Sequence, residues 1–131
     1  MRSPRLIVVC VLAMACDGSS GPSDTLCTAP VQVSVAPGSA TQITWTPACR
    51  VQQVLVFESL PPSVGGPQLR WGVHMASAGI APPLRYGQVP AGAQVILAAA
   101  PLVSGHPYSV QLSMDELVGN TTIVGEAGFV R

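Results

Sequence analysis

Proline and glycine interrupt this chain so often that no long helix fits between them: 13 of each stand among 131 residues, one position in five. Proline removes a backbone donor and glycine costs conformational entropy inside a regular element, so both collect at turns. From Ala29 onward the runs between them are short and β-rich, at intervals that suit an all-β sandwich. Val31, Val33 and Val35 alternate with Gln32 and Ser34, the period of two that marks a half-buried strand. After Pro37-Gly38 the alternation resumes, with Ile43 and Trp45 on one side and Thr44 and Thr46 on the other. The two runs read as a hairpin. With its turn centred on Gly38, Val33 faces Ile43, Val31 faces Trp45 and Cys27 faces Cys49, all on one face.

Further strands follow from the same pattern. Residues 51–57 are nearly continuous in apolar character and suit a central strand. Residues 59–67, with Pro61-Pro62 and Gly65-Gly66, form a loop. Residues 69–75 return as a strand with Leu69, Trp71 and Val73 on one face and Arg70, Gly72 and His74 on the other. Residues 76–83 are irregular, 84–89 are a short extended piece bearing Tyr86, and Pro90-Ala91-Gly92 turns the chain into residues 94–99. The alanines 98–100 suit a helix that Pro101 ends at once. The clearest alternation places Tyr108, Val110, Leu112 and Met114 opposite Ser109, Gln111 and Ser113, and a last strand runs through residues 121–126, with 129–131 closing the sheet.

The N-terminal residues have a different texture. Arg2 and Arg5 precede an apolar run over residues 6–15, too short for the roughly 20 residues that a transmembrane helix needs. A polar stretch, residues 17–24, follows. Leu12-Ala13-Met14-Ala15-Cys16 resembles the bacterial lipobox, in which small residues precede a cysteine whose sulfur receives a diacylglycerol before cleavage leaves it as the new N-terminus. The resemblance implies a signal peptide over residues 1–15, a fatty-acylated Cys16 (palmitate or a similar chain), and a flexible tether over residues 16–28. It also implies export to the bacterial cell envelope, either periplasmic or surface-exposed. Asp17 resembles the inner-membrane retention signal of enteric bacteria. Ordinary secretion is the alternative, because Ala13-Met14-Ala15 is also an A-x-A signal that cuts the same bond.

Cysteine parity favours the lipid. Removal of Cys10 with the leader leaves Cys16, Cys27 and Cys49, an odd number for an exported protein, and acylating Cys16 leaves one pair. A Cys27–Cys49 disulfide is worth about 3 kcal/mol by loop closure if unstrained. A shared metal is disfavoured, since neither cysteine stands in a C-x-x-C and no histidine is near either in sequence.

Leu102-Val103-Ser104-Gly105-His106-Pro107-Tyr108 resembles the fibronectin type III family, whose penultimate strand is entered by a leucine, a glycine-bearing turn and a tyrosine. The resemblance covers residues 29–131. It implies an immunoglobulin-like (fibronectin type III-like) two-sheet sandwich of about seven strands, with Tyr108 returning its hydroxyl to nearby backbone and Trp45 as a core tryptophan.

No catalytic constellation emerges. There is no G-x-S-x-G elbow, and Glu58, Asp115, Glu116 and Glu126 carry no mark of a carboxylate pair; Asp115-Glu116 reads as a solvated turn and Glu58 as a solvated strand edge. His74-Met75, with His106 and Met114, offers ligand types that suit exported copper, without the spacing of a blue-copper site. Asn120-Thr121-Thr122 matches a glycosylation sequon and reads as a turn. Six arginines balance six acids and charged residues are only 9%, so no charge excess exists to hold a nucleic-acid backbone, while 48% apolar content argues against a disordered chain. The expected role is non-catalytic, with no cofactor: a lipid-anchored module that meets an envelope protein or glycan. The alternative is a small exported enzyme or a copper carrier using His74 and Met75.

Overall fold

A computed structural model describes residues 23–117 and 119–131; residues 1–15, read above as a signal peptide, and Cys16 and Asp17 lie outside the described residues. Eight strands are present among them: β1 (Gln32–Ala36), β2 (Gln42–Thr46), β3 (Gln53–Glu58), β4 (Gln68–His74), β5 (Leu84–Arg85), β6 (Gln94–Leu97), β7 (Pro107–Asp115) and β8 (Thr121–Val130). They form two antiparallel sheets, β1-β2-β5 and β6-β4-β3-β7-β8. The count exceeds the expected seven because the extended piece after Pro83 pairs only through Leu84 and Arg85, on β2, while β6 adds a separate edge strand beside β4. Residues 98–100 are not helical; Ala100 instead donates its N–H to the Arg70 carbonyl (3.0 Å).

Alternation explains the core. Ile43, Trp45 and Leu84 from the smaller sheet and Val54, Val56, Trp71, Val73, Tyr108, Val110 and Leu112 from the larger one are buried in a single cluster. Each such side chain is worth about 1.5–3 kcal/mol on burial. The buried indole of Trp45 keeps its hydrogen bond by donating Nε1–H to the Cys49 carbonyl (2.7 Å).

The first hairpin is paired differently from its expected register. Val33 stands opposite Trp45 and Val35 opposite Ile43, so the turn is centred on Ser39 rather than Gly38. The Thr41 hydroxyl closes this longer loop by donating to the Gly38 carbonyl (3.3 Å). Each residue meets a partner two positions along, and because side chains alternate with a period of two, the apolar set stays on the core face.

The cysteines therefore do not face each other across this ladder. The segment before β1 runs parallel to the segment after β2: Cys27 N–H donates to the Arg50 carbonyl, Arg50 N–H to the Thr25 carbonyl and Ser23 N–H to the Ala48 carbonyl, each at 2.8 Å. This pairing brings Cys27 and Cys49 into a disulfide with Cα atoms 5.0 Å apart. Residues 23–28 of the expected tether are thus fastened to the domain.

The two sheets also meet along one seam. The register of β7 and β8 shifts after Leu112–Gly125, leaving Val124 outside the ladder, and its carbonyl accepts the Val31 N–H (2.8 Å). The adjacent Gly125 is approached so closely that a Cβ there would lie 2.7 Å from Val33 Cγ2 and 2.8 Å from Val31 Cγ2. Forcing extra volume into a packed site costs about 1–3 kcal/mol. Gly125→Ala is expected to lower the urea midpoint accordingly with an unchanged slope, and an unaltered midpoint would show that β1 does not press on β8.

Candidate functional site

Charge is distributed by the strand ends. One end of the molecule gathers the turn between β1 and β2, the end of β3, the starts of β4 and β7, the strand β5 and the end of β8; it carries Glu58, Arg70, Arg85 and Arg131. The opposite end carries Asp24, Arg50, Asp115 and Glu116, beside the disulfide. Three arginines against one acid at the first end, and one arginine against three acids at the second, are concealed by a net charge of zero.

At the arginine-rich end Glu58 is not the solvated edge residue that its sequence context suggested. Its carboxylate is 4% exposed and fully engaged. Oε2 accepts from Arg70 Nε (2.8 Å) and from Arg70 Nη2, and Oε1 lies 2.6 Å from His106 Nδ1. Hydrogen bonds from His106 and Arg70 hold the carboxyl below the usual carboxylate range, outweighing the upward push of burial. The three residues come from β3, from β4 at a register shift, and from the loop before β7, so the cluster ties three segments together. Their separations of 12 and 48 positions leave no local signal, and only the sheet register brings them together.

Two tyrosines brace the same end. Tyr86 donates its hydroxyl to the Ala100 carbonyl (2.6 Å) and packs edge-on against Trp71 with ring centroids 5.2 Å apart. Burial pushes its phenol up to about 12. Tyr108 is 2% exposed, its hydroxyl accepts the Val103 N–H (2.8 Å), and its ring stacks on Phe129. Between the β1–β2 turn and Tyr86 lies a groove of about 450 Å³, lined by Ser39, Thr41, Arg85, Tyr86, Leu102 and Arg131 among others.

The other sequence candidates are dispersed. His74 Nε2 lies 2.8 Å from Asp115 Oδ2, while the neighbouring Met75 points into the core at 8% exposure, because consecutive side chains of an extended segment face opposite ways. His106 is at the far end of the sheet from His74. Among the described residues no group of three or more His, Cys, Asp or Glu side chains could hold a metal. Asp115 and Glu116 stand at the opposite end of β7 from Glu58, and Glu126 pairs with Gln111 along the β7–β8 ladder. Comparison with protein-family models, with curated proteins and with solved structures finds no match to this chain.

Since the Glu58 carboxyl is depressed below its unfolded value of 4.5, it contributes stability that is present above that pH and lost as pH falls through the folded value. The melting temperature of the native chain is expected to drop more steeply than that of Glu58→Gln as pH is lowered below about 4.5. Parallel curves would show that ionisation of Glu58 is not linked to folding.

Proposed function

We propose that this chain is an exported, lipid-anchored, non-catalytic module of the bacterial cell envelope, acylated at Cys16 and carrying one immunoglobulin-like domain of fibronectin type III character. The observation that carries the reading is the position of the disulfide. Cys27–Cys49 lies where the chain following Cys16 joins the domain, before β1 begins. A pull on the anchor is taken up by the bonds from Ser23 and Thr25 to the segment after β2 and then by the disulfide, before it can peel β1 from its sheet. A disulfide persists in the oxidising compartments outside the cytosol.

The domain assignment has its own support. The first, second and fifth strands share one sheet, and the third is flanked by β7, itself next to β8, as A-B-E and C-F-G are in immunoglobulin-type sandwiches. The Tyr108 hydroxyl reaches backbone five positions upstream, as a tyrosine corner does. Trp45 fills the core from the second strand.

In this reading the anchor and the arginine-rich end are at opposite poles. Ser23 is held beside Ala48, next to the disulfide, and the six residues between Cys16 and Ser23 span at most about 25 Å when extended. The pole bearing Glu58, Arg85 and Arg131 then faces away from the membrane and is the surface offered to an envelope protein or glycan.

Intact mass of the protein extracted from host membranes tests the reading. The expected product begins at Cys16, carries a diacylglycerol, and shows two alkylatable thiols only after reduction. An unlipidated product, or free thiols before reduction, contradicts it.

A further inference from the structure

We propose that the groove between the β1–β2 turn and Tyr86 is a binding site for a small oxyanion-bearing ligand, a carboxylate or phosphate group carried on a body of about sugar size. The proposal deepens the reading of the distal pole as the presenting surface by naming the chemistry that surface receives.

The argument begins with the arginines. Among the described residues there are four. Arg50 is paired with Asp24 and Arg70 with Glu58. Arg85 and Arg131 form no salt bridge among the described residues, and both line this groove. The one carboxylate side chain at this pole, Glu58, is already committed to Arg70 and His106 and does not neutralise them. Between Arg85 and Asp115 the chain has no Asp, Glu, Lys or Arg at all, so the loop that forms the other wall supplies no counter-charge either.

Both arginines are held by their backbones while their guanidinium groups stay available. Arg131 N–H donates to the His106 carbonyl (3.1 Å), and its backbone oxygen accepts the Gly105 N–H (2.6 Å). Arg85 is fixed in a closed turn: its N–H donates to Gln88 Oε1 (3.1 Å) and its carbonyl accepts the Gln88 N–H (3.0 Å). The wall between them is rigid as well, because Tyr86 N–H donates to the Thr41 carbonyl (2.9 Å) and the Tyr86 hydroxyl is tied to Ala100. A site assembled before the ligand arrives loses less freedom on binding.

The remaining lining sets the class. Guanidinium groups present planar pairs of donors that match carboxylate and phosphate oxygens. Ser39 adds a hydroxyl at the rim, and Leu102 with the Tyr86 ring offers an apolar floor for the ligand body. A volume of about 450 Å³ lies within the range of small-molecule sites and is too small for a folded partner. Another hollow of about 520 Å³, beside Trp45, Pro82 and Pro83, has no charged side chain in its lining and lacks any comparable handle.

The test is a titration of the isotope-labelled full chain, followed by amide chemical shifts, with glucose 6-phosphate, with sodium glucuronate and with uncharged glucose. Saturable shifts confined to Ser39, Thr41, Arg85 and Leu102 are expected with at least one anion and not with glucose. The anion that binds more tightly identifies phosphate or carboxylate as the group recognised. Arg85→Gln and Arg131→Gln should each weaken binding roughly tenfold or more, since each removes a charge-assisted contact. Arg85→Lys, which keeps the charge and loses the planar pair of donors, should fall between Gln and the native residue. Neither side chain makes an internal hydrogen bond among the described residues, and an unchanged spectrum away from the groove verifies that each variant is folded. Absence of saturable shifts with both anions overturns the proposal, as does binding that survives the Arg85→Gln, Arg131→Gln double variant. Anion binding is read independently of lipidation, so a failed titration leaves the anchored module intact, and an unlipidated mass leaves the groove intact.

Discussion

Everything in this molecule depends on two sheets of unequal size filling one core. Trp45, Trp71 and Tyr108 are too large to be covered by a single sheet, and their burial requires the second. Two of the three keep polar tips satisfied only by reaching backbone at the margins: Trp45 bonds the Cys49 carbonyl at one pole and Tyr108 accepts the Val103 N–H at the other. The core thereby positions a loop at each end. Leaving either tip unpaired inside would cost about 1–3 kcal/mol, so these contacts constrain the loops as well as decorating the rings.

The mismatch of three strands against five has a second consequence. The smaller sheet does not cover β6, whose Val95, Ile96 and Leu97 remain 41–49% exposed at the sheet edge. The inner faces being apolar, ionisable side chains gather mainly where strands end. A chain with zero net charge and few ionisable residues therefore acquires an acidic pole beside the disulfide and a basic pole at the far end. Net charge describes the sum and conceals this separation.

The elements legible in the sequence were chiefly those with strict alternation: the residues of β1, β2, β4 and β7 lie in the runs where the period of two is plain. The hairpin register was not, because Pro37-Gly38 marks where a turn begins while the strand pairing centres it on Ser39. Cys27 and Cys49 could be paired from parity, yet the parallel segment that unites them has no alternation to read. Glu58 was misread for a related reason. A carboxylate at the end of a strand is solvated unless distant residues arrive, and here Arg70 and His106 do. Arg85 and Arg131 are far apart in the chain and line one groove only in the fold; the sole trace of the proposed site in the sequence is the long uncharged interval after Arg85.

These features describe one polarised module. In the proposed reading the disulfide fastens the segment nearest the anchor, the core carries that constraint through the sheets, and the arginine groove is at the opposite pole. The most direct measurement is paramagnetic broadening of the acylated chain in lipid nanodiscs containing a nitroxide-labelled headgroup. Broadening that is strongest at Asp24, Thr25 and Arg50 and weakest at Ser39, Thr41 and Leu102 is the predicted result. Uniform broadening, the reverse gradient, or none at all would contradict the account.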